Sequence, residues 1–399
     1  MAFESIPENG DFSSPPRSAY VHFPFCVKKC PYCDFISFPL ASCGREGYAD
    51  ALAGEIALTA KKMGPERESA PLSTIYMGGG TPSVFSPEEI ESVLKSLFSS
   101  FPVSGDAEIT LEANPGTVDT ESLTGYRKAG INRISLGIQS FSDLVLRRIG
   151  RIHSATQAGE AIDSVKSAGF SNFSCDLMTG LPGQTVEDAL DGVRYLVRRQ
   201  VPHISLYALT LESGTAFCQK YRGREEVFLP SQEIEREMYH GMIDVMRQSG
   251  YVHYEISNCS LPGYESRHNL NYWEALPYYG FGCGARSYYR GKRRANTENL
   301  PIYLNAMSGK NPQLSLVQQI EERISAREEK KEYMLLGFRR ITGISGEDYR
   351  IRFGSEVRSD FGAQISSLLR KKYIEERENC FCICADKMDF ANAVFREFV

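Results

Sequence analysis

Three cysteines stand close together near the start of the chain, in His22-Phe-Pro-Phe-Cys26-Val-Lys-Lys-Cys30-Pro-Tyr-Cys33-Asp-Phe35, with the spacing C-x3-C-x2-C. A disulfide takes two cysteines, and a structural zinc site closes with four ligands. Three on one short loop complete neither. Iron–sulfur clusters are also held by thiolates, normally four to a cubane. With three, one iron keeps an open position at which a small molecule can bind directly. Lys28 and Lys29 sit between the cysteines and should favour thiolates electrostatically. The competing reading is zinc, with His22 or Cys43 as the fourth ligand.

Further along the chain, polar groups recur just after short apolar runs. They are Gly78-Gly79-Gly80-Thr81, Glu112-Ala-Asn-Pro115, Gln139, Asp176 ahead of Gly180-Leu-Pro-Gly183, and Thr210-Leu-Glu212. The glycines would let backbone come close to a ligand. Each carboxylate taken alone reads equally well as a helix cap or a solvated group.

The runs that carry these groups are Ala19–Phe23, Thr74–Met77, Ala107–Leu111, Arg133–Ile138, Phe173–Met178 and His203–Leu209. Helical periodicity lies between them, at Tyr48–Met63, after the capping box Ser86-Pro-Glu-Glu89, at Val186–Arg199 and at Gln232–Gln248. Such alternation predicts parallel strands with crossover helices, in a barrel or an open doubly wound sheet. In a barrel all strand C-termini meet at one mouth. Polar residues at every strand end therefore favour an α/β fold with an incomplete barrel.

Bulk properties agree. The chain has 399 residues, 42% of them hydrophobic, enough for one large domain and a smaller one. Its 45 basic and 50 acidic residues leave a net charge of −5, against a nucleic-acid binder. No apolar run is long enough to span a bilayer. The first sixteen residues hold Glu4, Glu8 and Asp11 and no Lys or Arg, unlike a secretory or transit signal. Eleven cysteines without such a signal suggest a reducing compartment. The expectation is a cytoplasmic protein, or an organellar one if a presequence has been removed.

The cysteine triplet with Tyr32 before its last member resembles the radical S-adenosylmethionine (SAM) signature. Tyr20-Val-His-Phe-Pro24, Gly78-Gly-Gly-Thr-Pro-Ser83, Leu111-Glu-Ala-Asn-Pro115, Ser135-Leu-Gly-Ile-Gln-Ser-Phe141, Gly150-Arg-Ile-His153, Asp176-Leu-Met-Thr-Gly-Leu-Pro-Gly-Gln-Thr185 and Tyr207-Ala-Leu extend the match. Together they resemble the oxygen-independent coproporphyrinogen III oxidase family, and within it the haem-chaperone branch. The resemblance implies a partial (β/α)6 barrel with a [4Fe–4S] cluster on Cys26, Cys30 and Cys33. It implies SAM chelated to the open iron and cleaved to a 5′-deoxyadenosyl radical. By the same resemblance, Tyr20, Gly79, Gly80, Thr81, Glu112, Gln139, Arg151 and Asp176 would contact SAM.

Two features separate the branches. The oxidases carry a fourth cysteine, C-x3-C-x2-C-x-C, where this chain has Phe35, and a longer N-terminal extension. Arg267-His268-Asn-Leu-Asn-Tyr272-Trp273 resembles the HNxxYW motif of the chaperone branch, in which the histidine is proposed to hold haem. That makes His268 a candidate haem contact, imidazole being a common haem ligand. The implied partners are haem as cargo, acceptor haemoproteins, an electron donor such as flavodoxin or ferredoxin, and peripheral contact with a membrane. The alternative is oxidation of coproporphyrinogen in porphyrin biosynthesis. Arg286 stands where many relatives have histidine, and Cys283 beside it reads as a buried small residue.

The expected organisation is a loose tail over 1–17, the barrel over 18–250, a connecting segment over 251–312, and a small helical, winged-helix-like domain over 313–399. That last domain would begin with a charged helix from Ile320 to Phe338 and include an alternating strand, Cys380–Cys384. Cys380, Cys382 and Cys384 on one strand face suggest packing ahead of a second metal site.

Overall fold

The computed structural model describes residues 15–308 and 312–399, so most of the expected N-terminal tail lies outside the described residues. The six apolar runs all form strands: β1 (Ser18–Phe23), β2 (Leu72–Gly79), β3 (Val103–Ala113), β4 (Arg133–Gln139), β5 (Asn172–Thr179) and β6 (His203–Ala208). All six are parallel and adjacent in chain order.

Three short strands extend the sheet. β7 (Val252–Glu255) and β8 (Asn258–Ser260) form an antiparallel hairpin beside β6, and β9 (Tyr279–Phe281) pairs in parallel with β1. The order is β9-β1-β2-β3-β4-β5-β6-β8-β7, and among the described residues the two edges do not pair. The sheet is thus a partial barrel, as expected.

Helices α1 (Tyr48–Met63), α2 (Pro87–Ser100), α3 (Thr120–Ala129), α4 (Ala155–Ser167), α5 (Val186–Arg198) and α6 (Gln232–Gln248) follow the strands in turn. The capping boxes read at Ser86/Glu89 and Thr185/Asp188 are both formed. They supply acceptors and donors to amides that the helix itself leaves unpaired. A continuous apolar core joins the helices to the sheet through side chains such as Leu52, Leu94, Ile134, Ile162 and Val193.

Helix α7 (Arg267–Trp273) begins with the HNxxYW-like motif and lies against the N-terminal half of β2. Its first amides donate to the Glu108 carboxylate of β3, Arg267 N at 3.2 Å and His268 N at 3.1 Å. An anion at a helix N-terminus is the favourable polarity. At its other end, Arg352 donates to the carbonyls of Glu274 and Ala275. The helix is therefore held between the barrel floor and the C-terminal domain.

The segment after β9 corrects one expectation. Gln318–Arg323 is a strand, β12, pairing with β11 (Lys292–Asn296), which pairs in turn with β10 (Arg286–Tyr289). Only Ala326–Gly337 is helical (α8), starting at a capping box of Ser325 and Glu328. Pairing with a neighbouring strand outweighs local helix propensity here, and Arg293 meets Glu322 across the ladder at 3.0 Å.

The C-terminal domain has a separate core around Phe338, Tyr349, Ile365 and Phe381. It is covered by the small sheet of β13 (Ile344–Ser345), β14 (Ile374–Arg377) and β15 (Cys380–Ile383). Of the three cysteines there, Cys380 and Cys384 are partly exposed, while Cys382 is buried and its thiol donates to the Thr342 carbonyl at 3.0 Å. Cys283 is likewise buried, bonded to the Thr297 carbonyl at 3.2 Å. Arg286 pairs with Glu298 and Glu321. Among the described residues no helix is long and apolar enough to cross a membrane.

Candidate functional site

A cavity of about 400 Å3 opens at the C-terminal ends of β1 to β6. Its wall includes Cys26, Cys30, Cys33, Gly79, Gly80, Thr81, Glu112, Gln139, Arg151 and Asp176, ten of the twelve residues singled out from sequence. Tyr20 and His268 do not line it.

The cysteine loop leaves β1 and returns through a short parallel pairing of Phe25–Cys26 with Phe38–Pro39. Within it Cys33 N donates to the Cys30 carbonyl at 3.1 Å, a tight turn that brings two of the thiols near each other. All three thiols are partly buried. Thr81 Oγ1 donates to Cys26 Sγ at 3.5 Å, and Arg151 Nη1 to Cys30 Sγ at 3.7 Å. Burial pushes the Cys33 thiol up to about 11 and raises Cys26 as well. Burial thus outweighs the nearby lysine, contrary to the sequence expectation. A metal must displace these protons when it binds.

The proposed fourth zinc ligands are otherwise engaged. His22 Nδ1 meets the Tyr20 hydroxyl and Nε2 meets the Ile36 carbonyl, each at 2.9 Å. Cys43 packs against the apolar core. Among the described residues no three His, Cys, Asp or Glu side chains converge as a single ion would need. A cluster instead takes its thiolates at separate irons.

Above β2 the glycines are required sterically. Gly79 has φ +109°, and a Cβ there would lie 2.3 Å from the His22 ring. A Cβ on Gly80 would lie 2.6 Å from the Phe25 carbonyl oxygen. This leaves bare backbone facing the cavity beside the cysteines. Gln139 holds φ 71° at a register shift between β4 and β5, an uncommon conformation for a residue with a side chain.

Two half-buried carboxylates, Glu112 and Asp176, face one another across the floor. Glu112 accepts from the Tyr76 hydroxyl at 2.7 Å and from Gly79 N at 3.0 Å. Burial, with Asp176 nearby, pushes it up to about 7. Burial also pushes Asp176 up to about 6, against hydrogen bonding from Ser205 and Ser135. Two carboxylates short of counter-charge suit a ligand that brings cations and hydroxyl donors. Arg151 donates to Asn114 and to the Gly137 carbonyl, while its buried Nε has no partner.

Sequence reasoning singled out neither Asn114 nor Tyr76. Asn114 links Arg151 to Thr81, to which it donates at 2.9 Å. It lies in the Leu111–Pro115 motif, which was its only signal. Tyr76 sits inside an apolar run and gave none.

His268 lies at the opposite end of the barrel and is only 1% exposed. Nδ1 meets Thr74 Oγ1 at 2.8 Å, and Nε2 meets the Tyr272 hydroxyl at 3.1 Å. The ring stacks on Tyr76, centroids 5.0 Å apart. Tyr20 stacks on Tyr76 at 6.2 Å. Both sequence candidates outside the cavity therefore belong to the aromatic packing beneath it.

The profile of the Radical SAM superfamily matches residues 20–196. The chain thus carries a radical SAM domain, a class that uses a [4Fe–4S] cluster and SAM, and the three cysteines, the glycine-lined backbone and the half-buried carboxylates fit both groups. Across nearly its full length the chain also resembles proteins named heme chaperone HemW. It is 35% identical to that of Lactococcus lactis over 384 residues, 96% of this chain and 97% of that protein. It is 35% identical to that of Haemophilus influenzae over 386 residues, 96% and 98% of the two chains. For Bacillus subtilis the identity is 33% over 385 residues, 96% and 99%. The chain belongs to this HemW family. In fold it is similar to the solved coproporphyrinogen III oxidase (HemN) of Escherichia coli, with TM-score 0.80, 20% identity, and coverage of 98% of this chain and 91% of that one.

Proposed function

We propose that this protein binds haem and passes it to acceptor haemoproteins, with the cluster and SAM seated in the barrel mouth. The observation that carries the reading is the full-length relation, at 33–35% identity, to proteins named heme chaperone. The mouth supports it. Phe35 is 61% exposed and Tyr207 43% exposed, and both line the cavity. Exposed aromatic faces beside an open cavity offer stacking area to a flat macrocycle. Phe35 stands where the oxidases have a fourth cysteine, which argues against the coproporphyrinogen reaction.

In this reading Cys26, Cys30 and Cys33 hold the cluster, and Gly79, Gly80, Thr81, Glu112, Gln139, Arg151 and Asp176 surround SAM, with Tyr20 supporting from beneath. Bound SAM and cluster supply one-electron cleavage of a carbon–sulfur bond. The chain's own contribution is to hold, orient and shield. Glu112 and Asp176 receive positive charge and hydroxyls, while Thr81 and Arg151 donate toward the sulfurs. A notch lined by Val27, Lys28, Cys30 and Ile152 opens beside Cys30. Exposed Val27 and Ile152 with Lys28 suit an acidic electron carrier of the flavodoxin or ferredoxin type.

Haem contact through His268 requires that α7 leave the floor, because both ring nitrogens are already bonded. The test is a haem titration followed by fluorescence of Trp273, the only tryptophan. Wild type, His268→Ala, Phe35→Ala and Tyr207→Ala are compared. Saturable quenching is expected in wild type. Weakening in Phe35→Ala or Tyr207→Ala places haem at the mouth, and weakening in His268→Ala alone places it at α7. No saturable quenching, or protoporphyrinogen formed from coproporphyrinogen with SAM and a reductant, would overturn haem carriage.

A further inference from the structure

Among the described residues Arg133, at the start of β4, is the largest fully buried side chain, only 2% exposed. Among the described residues it has neither an ion pair nor a side-chain hydrogen bond, and its Nε is buried without a partner. By strand alternation it shares a face with Ser135 and Gly137, which line the cavity. It therefore points into the barrel beneath them.

The surroundings place it centrally. Its charge acts on Tyr76 of β2, Asp176 of β5, His203 of β6 and His268 of α7. Both histidines are buried and held neutral, so neither supplies a second cation. Glu108, the carboxylate near the floor, accepts the first amides of α7. An unpaired buried charge costs stability and persists where something uses it.

We infer that Arg133 is a positioning residue for the SAM site: its fixed charge beneath Asp176 keeps that carboxylate ionised after SAM has displaced water from the cavity. The inference rests on the reading that Asp176 faces SAM. The other groups facing Asp176 are Glu112 from β3, Ser135 from β4, Arg151 from the loop after β4, Ser205 and Tyr207 from β6, and Tyr76 from β2. Of these, Glu112 and the tyrosines oppose ionisation. Arg151, committed to Asn114, Gly137 and Cys30, is the other cation. Removing Arg133 should leave two facing carboxylates with half their cationic support.

The test is SAM binding to the reconstituted full-length protein by equilibrium dialysis between pH 6 and 8.5, with iron content checked at each pH. Wild type, Arg133→Met, Arg133→Lys and Asp176→Asn are compared, and each apoprotein is melted. Wild type should lose affinity as pH falls and Asp176 gains a proton. Arg133→Met should move that loss upward by about one pH unit, weakening binding about fivefold at pH 6, about twofold at pH 7 and hardly at all at pH 8.5. Arg133→Lys should keep the wild-type midpoint, and Arg133→Met should melt no lower than wild type. Arg133→Gln replaces the methionine variant if that does not fold. An unchanged midpoint in Arg133→Met, or a uniform loss at all pH values with a lower melting temperature, overturns the inference. If Asp176→Asn binds SAM as wild type does at every pH, the underlying site reading is what fails.

Discussion

Tyr76 donates its hydroxyl to Glu112 across 2.7 Å, joining β2 to β3 directly beneath the cavity. The same ring lies between Tyr20 and His268, at centroid distances of 6.2 and 5.0 Å. One face of the cavity is thus fixed by an aromatic stack that runs down the barrel to helix α7. Tyr76→Phe keeps the stack and removes only the donor. A buried carboxylate that loses one of two donors is roughly 1–3 kcal/mol worse off. Glu112 should then hold its proton to a pH above its present value of about 7. The expected result is about tenfold weaker SAM binding near pH 7, partly recovered at higher pH, with the fold intact by circular dichroism. Wild-type affinity across that range would remove Glu112 from the SAM site.

Burial holds His268 down to about 3, well below the free imidazole, and Arg133 adds to the effect. Its folded value is depressed, so the unfolded chain takes up a proton first as the solution is acidified. The stability that goes with neutral His268 is complete above about pH 6.5 and drains away toward pH 3. Within that window one such group costs about 1.4 kcal/mol per pH unit. His153 and His253, each near 4, act in the same direction, so the informative quantity is a difference. His268→Gln should show a urea midpoint that falls less steeply between pH 6 and 4, by the equivalent of one proton. Parallel slopes would mean that His268 titrates normally and that α7 sits off the floor in solution.

The parallel strands were legible because each is a short apolar run between helical segments, most of them closed by glycine, asparagine or proline, and the cavity was legible because its groups sit at those ends. What lies inside the barrel was not. Thr74, Glu108 and Arg133 are buried, yet by residue type they resemble solvated surface. Their role depends on which strands close around them, and the sequence of one strand does not contain that. Helix α7, at seven residues, is too short for periodicity to show. Strand β12 carries Glu321, Glu322 and Arg323 and reads as helix until its partner, β11, is known. The His268 motif was visible, but nothing local showed that both nitrogens of its ring would be taken.

Gly79 has a positive φ and meets the His22 ring at the distance of a clash if given a Cβ. His22 cannot swing aside without losing its bonds to Tyr20 and Ile36. Gly116 also has a positive φ, but nothing lies within 4 Å of its would-be Cβ. Gly116→Ala should therefore cost only the backbone strain, on the order of 1–3 kcal/mol. Gly79→Ala should cost more in thermal stability and also lower iron retained per chain, because the displaced His22 carries the cysteine loop through Ile36. Equal effects of the two substitutions would show that the His22 contact does not constrain the site.

Cys26 and Cys30 each receive a donor from the surrounding wall, Thr81 and Arg151, while Cys43 is committed to the core. If the loop holds a [4Fe–4S] cluster, anaerobic reconstitution should give about four irons and four sulfides per chain. Serine at any one of Cys26, Cys30 or Cys33 should abolish most of both, since two thiolates do not hold a cubane that already has one open iron. Cys43→Ser should leave both unchanged. A zinc site closed by Cys43 predicts the reverse: zinc in place of iron, no acid-labile sulfide, and loss of metal in Cys43→Ser. The iron and sulfide assay on these four variants separates the two chemistries without depending on any activity.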